Sequence, residues 1–159
     1  MRLWRIAAET RKFAADDLSG GAAAASPGRW NAAKECVVYA APTIAMAVLE
    51  TAGHIDDGGL PLNRFVVRID VSSDTWAARE AVEVAALPAA WAAIPAGKAS
   101  VKFGSMWIGS LRSAILLVPS VIVPEEPVAL VNPAHPDAKK LGATVVRPFE
   151  YDRLFRRTT

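Results

Sequence analysis

Hydrophobic and polar positions change period several times along the chain, and each change marks a short element. Residues 3–6, Leu-Trp-Arg-Ile, suit a short first strand, and residues 36–40, Cys-Val-Val-Tyr-Ala, form a β-branched and aromatic run that reads as a buried strand. Between them, residues 18–28 are rich in glycine and alanine with weak helical period and several breakers, which predicts a loop. A helix is expected from Pro42-Thr43 to about Ala52, with Thr43 as N-cap and Gly53 as its stop. The clearest strand is 64–71, where Phe65, Val67, Ile69 and Val71 alternate with Arg64, Val66, Arg68 and Asp70, so one face packs inward.

Pro88 and Pro95 punctuate residues 87–97, which should hold no long element. Residues 100–110 read as a helix with Phe103 and Trp107 one turn apart, despite Gly104 and Gly109. Buried strands are expected at 114–118 and 128–131, and a last strand at 144–151, where Pro148 points to an edge position. Residues 137–141 suggest a short helix stopped by Gly142. Strands outnumber helices, which predicts an α+β fold: one compact domain over residues 1–159, with short mixed or antiparallel sheets and flanking helices.

Composition narrows the picture. The apolar share is 52% of 159 residues, but 31 of them are alanine, so larger side chains make a thin core. At this length roughly 68–70% of the unfolded surface is buried, which is enough without disulfides or a structural metal. Cys36 is the lone cysteine and no Cys/His cluster has zinc-site spacing, so no metal is expected and the setting reads as reducing and cytoplasmic. Eighteen Lys and Arg against sixteen Asp and Glu leave +2, which argues against an electrostatic nucleic-acid binder. The densest basic stretch, Arg153, Arg156 and Arg157, reads as a solvated end. The N-terminus acquires charge too early for a secretory segment, and the apolar run 114–123 is broken by Pro119 and Ser120, so no membrane association is expected.

Three places carry candidate chemistry. Gly28-Arg29-Trp30-Asn31 closes the glycine-containing loop just before a buried strand, a common position for ligand loops. Arginine there can grip a phosphate through its planar fork; the plainer reading is a surface arginine beside Trp30 as a core residue. Tyr39 on the strand and Glu50 on the next helix can meet at one pocket. Glu50 stands in an otherwise apolar helix on the face of Met46, Ala47 and His54, so it must be exposed, paired or functional. His54 reads first as a helix-end cap. Val118-Pro119-Ser120 places a hydroxyl after a buried strand without the pattern of a serine hydrolase. Asn132-Pro133-Ala134-His135-Pro136 is a rigid turn whose polar groups can cap the following helix, and no dinucleotide-type glycine loop is present.

Taken in order, these pieces resemble the RES domain, the toxin half of RES-Xre toxin-antitoxin modules. The resemblance runs over nearly the whole chain, through Leu3-Trp4-Arg5-Ile6, Leu18-Ser19-Gly20, Gly28-Arg29-Trp30-Asn31, Val38-Tyr39-Ala40 and Ala47-Val48-Leu49-Glu50 to His54. It continues through Gly104 and Trp107, Val118-Pro119-Ser120, Asn132-Pro133-Ala134-His135-Pro136 and Arg153-Leu154-Phe155. The family's arginine, glutamate and serine fall on Arg29, Glu50 and Ser120, and Tyr39 matches its strand tyrosine. The resemblance implies a fold similar to ADP-ribosyltransferase toxins and an activity that consumes NAD as substrate. It implies Arg29 on the NAD phosphates, Tyr39 beside the nicotinamide or its ribose, and Ser120 on the ligand or orienting another site residue. Glu50 would stabilise the oxocarbenium character that builds as the nicotinamide-ribose bond breaks. Asn31 and His54 join as further cofactor-binding candidates, and Asn132 and His135 as support.

Two departures from the family pattern bear on loop geometry: Ala33-Lys34-Glu35 replaces a glycine-containing turn, and Pro127 stands where asparagine is common. Three readings follow from the resemblance. The first is an NAD-cleaving toxin, hydrolytic or phosphorolytic, held in check by an Xre-type antitoxin. The second transfers ADP-ribose to a protein target. The third is a catalytically silent interaction module, against which the intact Arg29, Tyr39, Glu50 and Ser120 count. The acceptor and any homo-oligomer stay open.

Overall fold

A computed structural model describes residues 1–55 and 58–155. The described residues include seven strands, four α-helices and three 3-10 turns; the strands and α-helices are β1 (Arg2–Ala8), α1 (Gly21–Ala25), β2 (Val38–Ala40), α2 (Ile44–Ala52), β3 (Arg64–Asp70), α3 (Ser73–Ala77), β4 (Glu80–Ala81), α4 (Lys98–Ser110), β5 (Ile115–Pro119), β6 (Pro127–Val131) and β7 (Gly142–Phe149). The fold is α+β. One sheet is antiparallel in the order β1-β3-β7; the other is mixed, in the order β2-β6-β5-β4, with β4 parallel to β5. A single antiparallel bridge, Trp4 to Ala41, joins them through two short main-chain hydrogen bonds of 2.8 and 2.7 Å.

The apolar runs account for the strands. Ile115, Val118, Leu130 and Val131 are all but inaccessible in the centre of the mixed sheet, where covered faces suit continuous aliphatic runs. In β3 the expected one-sided burial is corrected: Val66 and Val67 point to opposite faces and are both 0% exposed, because separate parts of the core cover the two faces. β7 is an edge strand, as Pro148 indicates, but it ends at Phe149, and Tyr151 instead lies buried in a 3-10 turn. The short helix expected at 137–141 is a 3-10 turn over Pro136–Lys140, its first turn capped by His135 Nδ1, which accepts from the Asp137 amide.

Residues 18–28 are not wholly a loop. Five of them, Gly-Ala-Ala-Ala-Ala, close one helical turn as α1, since alanine costs least to hold in a helix even without a side-chain cap. α3 and β4 are too short to have left a periodic signal. No helix among the described residues is long and apolar enough to cross a membrane. Of the basic C-terminal stretch, Arg156 and Arg157 lie outside the described residues.

Candidate active site

The 28–31 loop is built around one amide. Asn31 is 0% exposed; its Oδ1 accepts from the Gly28 amide at 2.9 Å and from the Tyr39 hydroxyl at 2.8 Å. Its Nδ2 donates toward the carbonyls of Ala23, Ala32 and Glu35 at 2.9–3.1 Å. The side chain's hydrogen-bonding capacity is thus spent inside the protein. Tyr39 closes the arrangement by accepting from the Trp30 amide at 3.0 Å. Burial pushes its phenol up to about 12, opposed by the Trp30 amide and the Arg29 charge, with Glu35 adding to the rise. Gly28 is required here because a Cβ would stand 2.7 Å from the Tyr39 hydroxyl oxygen.

The turn over residues 33–35 closes without glycine. Lys34 itself adopts the left-handed region, φ 70°, and its amide donates to the Ala24 carbonyl at 2.9 Å. Glu35 then ties the turn down, accepting from the Ala32 amide and from Ser105 on α4. Pro127 opens β6 opposite Pro119, at the end of the ladder where a missing amide matters least.

Arg29 projects from this loop, half-buried. Its Nη1 donates to the Trp91 and Ala93 carbonyls, each at 2.8 Å. Desolvation lowers the guanidinium below the usual arginine value, while Glu50 and Tyr39 are near enough to pull it back up. The electrostatic reach between Arg29 and Glu50 puts a fixed cation and a carboxylate in one neighbourhood.

Glu50 lies in the last turn of α2. Thr43 caps that helix, accepting from the Met46 amide at 3.1 Å, and the buried Met46 and Ala47 fix which face turns inward. The helix end packs on the turn after β5, where a Cβ on Gly53 would come within 2.9 Å of Ile122 Cδ1. There the Ser120 hydroxyl, 1% exposed, donates a hydrogen bond to Glu50 Oε1. Ser120 Oγ in turn accepts from the amides of Ile122 and Val123, both at 3.1 Å. The half-buried Glu50 is therefore a paired carboxylate with its second oxygen still available.

His54 is exposed, its amide bonded to the Thr51 carbonyl. Asn132 is fully buried and spans from the Ile108 carbonyl to the Ala134 amide, a structural clasp. Two concavities lie elsewhere. One, of about 220 Å³, holds Glu80, Phe103, Trp107 and Arg112; the other, of about 470 Å³, is lined by Arg147, Pro148, Phe149, Glu150 and Arg153. In the first, Glu80 is already taken by Arg112 and Ser113, and Ser113 by the Trp107 indole, so its polar groups satisfy one another. Neither includes Arg29, Glu50 or Ser120, and the grouping of unspent charge carries more chemical weight than concavity alone.

Trp91 is the site neighbour that residue reading misses. It holds Arg29 through a main-chain oxygen, which every residue type possesses, and its only signal in the sequence is a large aromatic between two prolines.

A family model described as "RES domain" matches residues 2–153. The chain is 52% identical over 155 residues to a protein of Sphingobium sp. named "Prs ADP-ribosylating toxin", covering 97% of this chain and 96% of that protein. It is 33% identical over 157 residues to "Toxin Res" of Pseudomonas putida, covering 98% of this chain and 100% of that protein. A "Toxin Res" of Yersinia enterocolitica is 31% identical over 135 residues, 85% and 86% of the two chains. With the family model matching nearly the whole chain and relatives of 31–52% identity covering most of both proteins, the chain belongs to the RES domain family.

Proposed function

We propose that this chain is a toxin enzyme that binds NAD, breaks its nicotinamide-ribose bond and passes the ADP-ribose to a protein acceptor. The observation that carries this reading is the Ser120–Glu50 pair, a carboxylate fixed by a buried hydroxyl within electrostatic reach of Arg29. As the bond breaks, its electron pair leaves with the nicotinamide nitrogen, which becomes neutral, and positive charge develops on the ribose. The free Glu50 oxygen stabilises that charge in place, and the nicotinamide needs no proton to depart. The acceptor then bonds to the ribose carbon and loses its proton to Glu50 or solvent. Arg29 grips the diphosphate, and the Tyr39 ring borders the nicotinamide ribose. Ser120, being inaccessible, orients Glu50, and Asn31 acts through the loop it organises.

Transfer to protein is favoured over water or phosphate by the 52% identical relative, whose printed name makes Prs its target. A Prs-type protein is the acceptor to try first. The family resemblance further supports a cytoplasmic, single catalytic domain neutralised by a separate Xre-type antitoxin.

The test is to incubate purified protein with NAD in phosphate-free buffer, phosphate buffer, cell lysate and purified Prs, and to identify products by mass. A modified protein means transfer, free ADP-ribose means water, and ADP-ribose phosphate means phosphorolysis. Glu50→Gln should remain folded and lose about 100-fold or more of the rate. NAD left intact by the wild type in every condition would remove the enzymatic reading.

A further inference from the structure

Arg29 is gripped from the far half of the chain. Its Nη1 bears two hydrogens, and two main-chain oxygens take them, those of Trp91 and Ala93 at 2.8 Å each. Among the described residues no protein acceptor meets Nε or Nη2 of the same guanidinium. In a planar guanidinium the Nε and outer Nη2 hydrogens point the same way, a parallel pair that matches two oxygens of one phosphate.

The loop that supplies the carbonyls is seated by one side chain. Trp91 is 6% exposed, and its ring stacks on Trp30, with centroids 6.1 Å apart and planes 19° from parallel. Trp30 follows Arg29 in the chain and is itself braced edge-on by Phe103 at 5.9 Å. The Trp91 amide also donates to the Pro88 carbonyl at 2.9 Å, fixing the turn. One residue thus grips the Arg29 loop twice, by ring and by carbonyl.

We infer that Trp91 is a positioning residue for substrate binding: it seats the 87–97 loop so that two carbonyls occupy Arg29 Nη1 and leave the Nε–Nη2 edge aimed at one phosphate of the dinucleotide. This rests on the NAD reading above. An arginine already held loses less side-chain freedom when its ligand arrives, so the effect belongs to affinity. Phosphate contacts distant from the breaking bond are equal in ground and transition states, so losing them raises KM and spares kcat.

Steady-state kinetics with NAD test this. Trp91→Ala should raise KM about tenfold or more with kcat within about threefold. Trp91→Phe, which keeps an aromatic stack, should return KM to within about threefold of wild type. Where Trp91→Ala does not fold, Trp91→Leu keeps apolar volume without the stack and should show the same rise. In an Arg29→Ala background, the Trp91 substitution should add no further increase, since its effect passes through Arg29. An unchanged KM, a loss confined to kcat, or an undiminished effect without Arg29 each overturns the inference while leaving the NAD reading intact. A wild-type protein that neither binds nor cleaves NAD removes both.

Discussion

Ser120 anchors Glu50 across seventy residues of chain, donating to Oε1 while two amides of its own turn donate to it. The hydroxyl hydrogen is committed to the carboxylate, and its oxygen is filled from the other side. Ser120→Ala frees Glu50 to rotate and strips the Ile122 and Val123 amides of their acceptor. We expect kcat to fall between about tenfold and a hundredfold with KM for NAD little changed, and stability to drop by about 1–3 kcal/mol in urea unfolding. Wild-type kcat in a folded Ser120→Ala protein would show that Glu50 needs no anchor.

Tyr39 ties alkaline stability to the site loop. Its folded pKa, pushed up to about 12 chiefly by burial, lies above the value of about 10 for an unfolded tyrosine. The folded state therefore holds the phenolic proton more tightly. The resulting stabilisation is fully present below about pH 10 and is lost as pH rises through about 12. Tyr39→Phe loses the bonds to Trp30 and Asn31 at every pH, but its stability gap to wild type should narrow across that window. Tyrosinate absorbance should also lose its step near 12. A gap independent of pH would contradict the assignment.

Gly104 lets α4 lie directly on the site loop. A Cβ there would stand 1.8 Å from the Trp30 carbonyl oxygen, and the atom in the way is backbone. Gly104→Ala, favourable by helix propensity alone, should instead destabilise by about 3 kcal/mol. Because the displaced residue adjoins Arg29, KM for NAD should rise in whatever folded protein remains. Unfolding midpoints and NAD kinetics read the two effects separately.

Asn31 and His54 make a contrasting pair. Asn31→Ala removes the acceptor for Gly28 and Tyr39 and the donor for three carbonyls, so a loss of about 3 kcal/mol and of most NAD affinity is expected. His54 is exposed at the end of α2, and His54→Ala should shift stability by no more than about 0.5 kcal/mol. A large rise in KM from His54→Ala would place it in contact with substrate.

The strands of the core were legible because aliphatic runs of four to eight residues bounded by proline or glycine leave few alternatives, as 114–118 and 128–131 illustrate. The helix carrying Glu50 was equally plain, with Thr43 and Gly53 at its ends. α1 was not, since four alanines among breakers satisfy a loop and a helical turn alike. Nor was the two-sided burial of β3, which depends on what packs over its second face and not on its own alternation. The same limit applies at the site. Resemblance singled out Arg29, Glu50 and Ser120, but nothing in their spacing says that Ser120 faces the carboxylate. The carbonyls that hold Arg29 belong to no residue type at all.

The long separations at the site also fix when it comes into being. Arg29 and Glu50 are synthesised early, the Trp91 and Ala93 carbonyls that hold Arg29 come 62 and 64 residues after it, and Ser120 comes 70 residues after Glu50. A growing chain therefore carries its arginine and carboxylate on the ribosome for several seconds, at about 5–20 residues per second, before either is held. Fragments released early, or chains cut between residues 50 and 120 that then come apart, keep the reactive side chains without the geometry that arms them.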